Sequence, residues 1–250
     1  LGMPVSTGTG PTWNDGTTGA RGVDMTKRVR SFGSEAPVNG GIESYAFSVD
    51  RPGSYVYHSG THPQKQVYMG LYGAATQNAV EADATAGTPA EAYPGITYDN
   101  EVLLFYSDID PEHNASVNEL YNPTGLVTPY STSIHYHARW FLINGEPYVD
   151  GVTADIPAGA AGERTLLRLF SAAAETHVPV AQGMHMTIHA EDALLYSWED
   201  TLAVTSGAAP REQYSAMLPP LKTKDAIITL PSTVERFAVY DGNGNMTNPS

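Results

Sequence analysis

Residues 55–64 read YVYHSGTHPQ, and residues 66–73 read QVYMGLYG. The stretch follows residues 51–54, RPGS, whose proline and glycine suit the backbone angles that end one strand and begin the next. Aromatic and β-branched residues then predict a strand that carries His58 at its end. Strand alternation places Val56, His58 and Gly60 on one face. Residue types alone favour a buried strand with a hydrogen-bonded histidine over a metal ligand, and both interpretations stay open.

The sequence of this stretch also resembles that of a known family. PGSYVYHSGTHPQ at 52–64 and MGLYGA at 69–74 closely resemble the end of the first cupredoxin domain of bacterial multicopper oxidases, above all the large manganese- or phenol-oxidising members. The resemblance implies an all-β fold of two cupredoxin-like Greek-key β-sandwiches, the first incomplete at its N-terminus. It also implies copper as the cofactor.

The same resemblance divides the chain. The expected units are a partial first domain over 1–80, a linker over 81–97 and a second domain over 98–250. The linker segment is rich in Ala, Glu, Thr, Pro and Gly, which favours a connection over a packed element. In the second domain a strand is expected over 131–143, and the Asn144-Gly145 pair directly after it is a strong hairpin signal.

Composition excludes several classes of function. The chain of 250 residues carries 13 basic and 27 acidic residues, and its net charge of −14 argues against nucleic acid or an anionic membrane as a partner. The sequence has no cysteine, which excludes disulfides, thiol catalysis and thiolate–metal sites. No apolar run approaches the roughly 20 residues of a membrane span. An extracellular or periplasmic location is expected.

The family's copper sites set the test for the histidines. The mononuclear site of a multicopper oxidase needs a Cys thiolate with two His, so this chain alone cannot form it. The resemblance places one ligand of the oxygen-reducing cluster at His58, but Gly60 stands where its His-X-His partner is expected. His62 is the candidate replacement, and an exposed loop histidine before Pro63 is the alternative.

Two further groups of residues have metal-ligand chemistry. His135 and His137 form a His-X-His sequence on the predicted strand, where both imidazoles share a face and can hold one metal; a solvent-facing pair is the alternative. In MHMTIH at 184–189, Met184 and His189 offer thioether and imidazole for Cu(I), whereas methionines that fill the core are the alternative. His113 and His177 are expected in loops.

Functions of different classes follow from these patterns. The first is the N-terminal two-domain part of a multicopper oxidase-like protein, completed by further cupredoxin domains or identical chains because it lacks the mononuclear-copper Cys. Whether the chain itself is an enzyme stays open. The second is a copper-free cupredoxin-like module of an extracellular oligomer or filament, whose open sheet edges accept another strand. The third is a copper-binding or storage protein.

Overall fold

The computed structural model describes most of the chain from Arg51 onwards and short pieces before it. The described residues are 12–13, 29–31, 40–42, 44, 49, 51–60, 63–129, 133–200, 205–233 and 236–245. The strands are β1 (Thr12–Trp13), β2 (Val29–Ser31), β3 (Gly53–His58), β4 (Tyr72–Gln77), β5 (Ala90–Tyr93), β6 (Ile96–Tyr98), β7 (Asn100–Ile109), β8 (Trp140–Ile143), β9 (Arg164–Ser171), β10 (Pro179–Ala181), β11 (Met186–Glu191), β12 (Leu194–Leu195), β13 (Ser197–Asp200), β14 (Thr205–Ala208), β15 (Arg211–Gln213), β16 (Thr223–Thr229) and β17 (Val239–Asp241). The helices are α1 (Pro63–Gln66) and α2 (Pro111–Tyr121). Strands dominate the described residues, which confirms the predicted all-β class.

The centre of the molecule is a seven-stranded mixed sheet. Its strand order is β12-β11-β16-β9-β7-β8, and β15 also pairs with β11. Strand β9 runs antiparallel to β16 and parallel to β7. Its sequence, RTLLRLFS, is buried almost from end to end, as expected for a strand that is covered on both faces.

The two faces of this sheet pack against different elements, after which they are named here the β17 face and the hairpin face. The β17 face carries Leu167, Leu169 and Ile228 and packs with residues of β10 and β17. The hairpin face carries Leu166 and Ile227 and is covered by β5 and β6. Because side chains alternate along β9, Arg168 lies on the hairpin face between two leucines of the β17 face.

The hairpin that gives this face its name consists of β3 and β4. The two strands pair antiparallel from Gly53 opposite Gln77 to His58 opposite Tyr72, and α1 lies in their connection. Strand β3 packs against β9 and β16. The predicted strand that ends at His58 is therefore confirmed.

The predicted strand over 131–143 is largely wrong. Residues 131 and 132 lie outside the described residues, and from 133 onwards only β8 is strand. The N–H of Tyr136 donates to Ser133 O and closes a turn, which removes this segment from the ladder. The turn at Asn144-Gly145 is confirmed, because both residues have positive φ, 54° and 82°.

Other segments differ from expectation as well. The predicted linker over 81–97 contains β5 and most of β6, and Tyr93 is buried against the sheet; the domain boundaries stay a prediction. His113 was expected in a loop but lies in α2. Asp110 begins this helix, because its side chain accepts hydrogen bonds from the N–H groups of Glu112 and His113. No helix of the described residues is long and apolar enough to cross a membrane.

Candidate metal site at the end of strand β3

His58 lies at the end of the β3–β4 hairpin, on the side that faces the central sheet. Ser54, Val56 and His58 alternate onto this side; the first two are buried and His58 is half-buried. The ring Nδ1 of His58 is 2.9 Å from Ser59 O. Because a carbonyl oxygen only accepts, Nδ1 carries the proton, and in the neutral ring Nε2 presents its lone pair. This is the tautomer in which an imidazole binds a metal through Nε2.

The hairpin begins with a close approach to the sheet. Gly53 has a φ of 142°, and a Cβ at this position would lie 2.5 Å from the Cβ of Ala193 and 2.8 Å from the hydroxyl of Tyr93. Only glycine allows both the backbone conformation and the contact. The start of β3 is thus fixed about five residues before His58.

One buried arginine holds the hairpin on the sheet. The donors of Arg168 reach Ser54 Oγ at 3.2 Å, Asn78 Oδ1 at 2.6 Å and Glu101 Oε1 at 2.5 Å. Asp225 of β16 lies 3.7 Å from Nη1 of Arg168 and accepts hydrogen bonds from the hydroxyls of Ser54 and Tyr93. Burial lowers the pKa of Arg168, but Asp225 and Glu101 outweigh it and raise that pKa, so the guanidinium keeps its charge.

An aromatic cluster joins the segment after α1 to the second half of the chain. The ring of Tyr68 lies 4.7 Å from that of Tyr136 and 6.0 Å from that of His113, between ring centres. Tyr136 Oη donates to Asp108 Oδ1 at 2.7 Å, and burial together with this carboxylate raises the pKa of Tyr136. Burial is the main reason that the pKa of His113 is lowered. The sequence signal that places His113 in this cluster is the helix start Asp110-Pro111, where the aspartate caps α2.

His135 and His137 flank Tyr136 but do not share a strand face. Both side chains are exposed, whereas Tyr136 turns inward. The N–H of His137 donates to Asp110 Oδ2 at 2.8 Å, which fixes its backbone. The strand geometry predicted for this pair is therefore wrong, and metal binding by the pair stays a prediction.

The segment from Met184 to His189 combines residues of the hydrophobic core with residues that line an open cleft. Met184 and Met186 belong to the hydrophobic core, so the alternative of methionines as core filler is confirmed. His185, Thr187 and His189 line an open cleft of about 520 Å³ together with Arg164. Burial, and to a lesser degree Arg164, lowers the pKa of His189. Met184 also lines this cleft, so a Cu(I) site shared by Met184 and His189 stays a prediction.

The described residues do not form a copper site by themselves. Among them no three His, Cys, Asp or Glu side chains come close enough to hold one metal ion. His62 lies outside the described residues. The chain has no Cys, so the donor set of a mononuclear blue-copper site is missing. His58 supplies one imidazole, and metal binding by His62, His135 and His137 stays a prediction.

Comparisons with known proteins define the class of fold. No family model and no curated protein matches the sequence. Among solved structures, the chain is similar to the blue copper oxidase from Nitrosomonas europaea, with a TM-score of 0.56 and 17% identity over 85% of this chain. It is similar to the laccase from Botrytis aclada, with 0.51 and 18% over 82%. It is also similar to the copper nitrite reductase from Nitrosomonas europaea, with 0.54 and 14% over 84%.

The protein therefore has the cupredoxin-like β-sandwich fold. The resemblance to multicopper oxidases that was read from residues 52–74 is confirmed at the level of the fold. The chain spans 58% of the blue copper oxidase, 34% of the laccase and 64% of the nitrite reductase. Identities below 20% carry the fold and leave cofactor and activity to be proposed.

Proposed function

We propose that this chain is the two-domain part of a multicopper oxidase-like protein, in which oxidation of a phenol or a metal ion is coupled to oxygen reduction. The observation that carries the proposal is His58. It ends a strand that packs against β9 and β16, and its Nδ1–H bond to Ser59 O leaves the Nε2 lone pair for a metal. Copper is the metal that this fold and an imidazole ligand favour.

The copper site is completed by further cupredoxin domains or by identical chains. His62, His135 and His137 are the additional ligands that this chain offers to it. Because the chain has no Cys, the electron-accepting mononuclear site belongs to another domain or chain. The expected setting is extracellular or periplasmic, and this chain alone is not competent for turnover.

Metal analysis with a matched control tests this function. The purified protein is loaded with Cu(II), freed of unbound metal by gel filtration and analysed for copper per chain. We expect His58→Ala to lose copper and His185→Ala, which removes an exposed imidazole directly before β11, to keep it. Oxygen uptake with a phenol is expected to be absent for the chain alone. Unchanged copper in His58→Ala, or turnover without a Cys, contradicts the proposal.

A copper-free assembly module is the second candidate. It is favoured by the lack of Cys and by the absence of any three-ligand group among the residues that the structure describes. This candidate predicts that no gel-filtration fraction contains bound copper. It also predicts that the oligomers seen in sedimentation experiments become larger as the protein concentration increases. Copper that depends on His58 rules it out.

A further inference from the structure

Two exposed tyrosines meet on the surface of the second half of the chain. The hydroxyl oxygens of Tyr214 and Tyr240 are 3.4 Å apart, and the residues are 47% and 44% exposed. Tyr214 follows β15, and Tyr240 is the middle residue of β17. Both phenols are therefore open to a reagent in solution and in contact with each other.

Backbone pairing brings these two rings together. Tyr240 lies opposite Val180 of β10, and Ser215, the residue after Tyr214, bridges to Val180 from the other side. The ring of His185 stands edge-on to Tyr214, with 6.0 Å between ring centres. The contact is thus part of the strand arrangement and not a chance meeting of two mobile side chains.

Tyr148 and the Tyr68–Tyr136 pair differ from this contact in their surroundings. Tyr148 is 74% exposed, but its hydroxyl donates to Asp150. Tyr68 and Tyr136 also form a ring pair, but the hydroxyl of Tyr136 is engaged by Asp108, and Tyr136 is half-buried. The hydroxyl–hydroxyl contact of Tyr214 and Tyr240 combines exposure with a second phenol.

We propose that Tyr214 and Tyr240 are a site of oxidative cross-linking, joined within one chain as dityrosine by a one-electron oxidant such as a phenoxyl radical or the ferryl haem of a peroxidase. Each phenol gives one electron to the oxidant and one proton to bulk water. The two phenoxyl radicals couple through their ortho carbons, and the rings regain aromaticity by moving the ortho hydrogens to the oxygens. Overall two ortho C–H bonds break, one C–C bond forms, and two electrons and two protons leave.

The contact makes the reaction within one chain faster than between chains. Two groups held together have an effective concentration in the millimolar range or above, well beyond that of a dilute protein solution. The cross-link joins two residues that are 26 positions apart in the sequence, and it ties the segment after β15 to β17. Like a disulfide, it restricts the unfolded chain, so the cross-linked protein is expected to unfold at a higher temperature.

The test treats the dilute protein with a haem peroxidase and hydrogen peroxide and maps the products by mass spectrometry after trypsin. Cleavage after Arg211, Lys222 and Arg236 places the two tyrosines in separate peptides, 212–222 and the peptide that starts at Phe237. We expect these two peptides joined with the loss of two hydrogen atoms, dityrosine fluorescence on a monomeric band, and a raised Tm.

Matched variants decide the outcome. Tyr214→Phe and Tyr240→Phe are each expected to abolish the joined peptide and the gain in Tm, whereas Tyr148→Phe, the same change at an exposed tyrosine elsewhere, keeps both. Dityrosine that links other peptides, that appears only in dimers, or that persists in Tyr214→Phe overturns the proposal. The chemistry does not need copper in this chain, so it stands or fails separately from the proposed function.

Discussion

The buried polar groups on the two faces of the central sheet differ in their hydrogen bonding. On the hairpin face the buried ionisable groups Arg168 and Asp225 each have hydrogen-bond partners. Burial raises the pKa of Asp225 above its usual value, although Arg168 and the hydroxyls of Ser54 and Tyr93 act to lower it. On the β17 face three buried polar atoms have no hydrogen-bond partner among the described residues: Tyr106 Oη, Ser171 Oγ and His177 Nε2. An unpaired buried charge costs several kcal/mol, whereas a neutral polar group costs about 1–3 kcal/mol. The charged cluster lies where two distant parts of the chain join, so it fixes the hairpin that carries the candidate metal ligand.

The β17 face has one well-connected carboxylate of its own. Asp241 accepts from His177 Nδ1 at 2.6 Å and from the N–H of Val178 at 2.8 Å. Burial raises the pKa of Asp241, but these hydrogen bonds outweigh it and hold that pKa below its usual value. These bonds stay within β10, β17 and the residues next to them, so the cluster supports the edge of the core and does not position the hairpin.

The largest expected effect comes from Arg168→Met. Removal of the guanidinium leaves Asp225 and Glu101 without their cation and frees the hairpin from its anchor. We expect the free energy of unfolding to fall by about 3–5 kcal/mol, measured by urea denaturation.

Arg164→Met is the control for this comparison. Arg164 lies on the same strand, but its side chain is half-buried and donates to Thr97 Oγ1. Its loss is expected to cost less than about 1.5 kcal/mol. Addition of Asp225→Asn to Arg168→Met should recover part of the loss, because it removes the stranded carboxylate. Equal costs for the two arginines would show that Arg168 is no special anchor.

Two buried tyrosines sharpen the same contrast. Tyr93 donates its hydroxyl to Asp225 on the hairpin face, whereas the hydroxyl of Tyr106 on the β17 face has no partner among the described residues. We expect Tyr93→Phe to cost about 1–3 kcal/mol and Tyr106→Phe to be neutral or slightly stabilising. Thermal unfolding of both variants measures the difference. A loss of stability in Tyr106→Phe as large as that in Tyr93→Phe contradicts the contrast.

The sequence predicted what local patterns control. Alternation and the Pro-Gly turn placed His58 at the end of a strand with the correct face, and Asn144-Gly145 gave the hairpin turn. Arg168 could not be interpreted in the same way, because its partners lie up to 114 residues away. The prediction that His135 and His137 share a strand face is wrong for a related reason. Asp108 of β7 and Asp110, directly after β7, accept hydrogen bonds from this segment. No local sequence pattern predicts these contacts.

The smallest expected effect is a pH dependence at the edge of the sheet. Burial raises the pKa of Glu191, but hydrogen bonds from Lys224 and Tyr196 outweigh it and bring that pKa to about 2, against 4.5 for an ordinary glutamate. Between pH 4.5 and 2 the unfolded chain binds more protons at this residue than the folded chain, so stability falls as the pH falls. Glu191→Gln should remove this part of the pH dependence, less than about 1 kcal/mol, in a series of Tm measurements. An unchanged slope in the variant contradicts the assignment.

The distribution of copper across a gel-filtration profile tests most directly whether His58 belongs to a site that this chain shares with another domain or chain. Copper and protein are measured in each fraction of the copper-loaded protein, for the wild type and for His58→Ala. We predict that copper elutes with a species larger than one chain and that His58→Ala removes it. A full complement of copper on the single chain, or copper that persists without His58, would contradict a shared site at the end of β3.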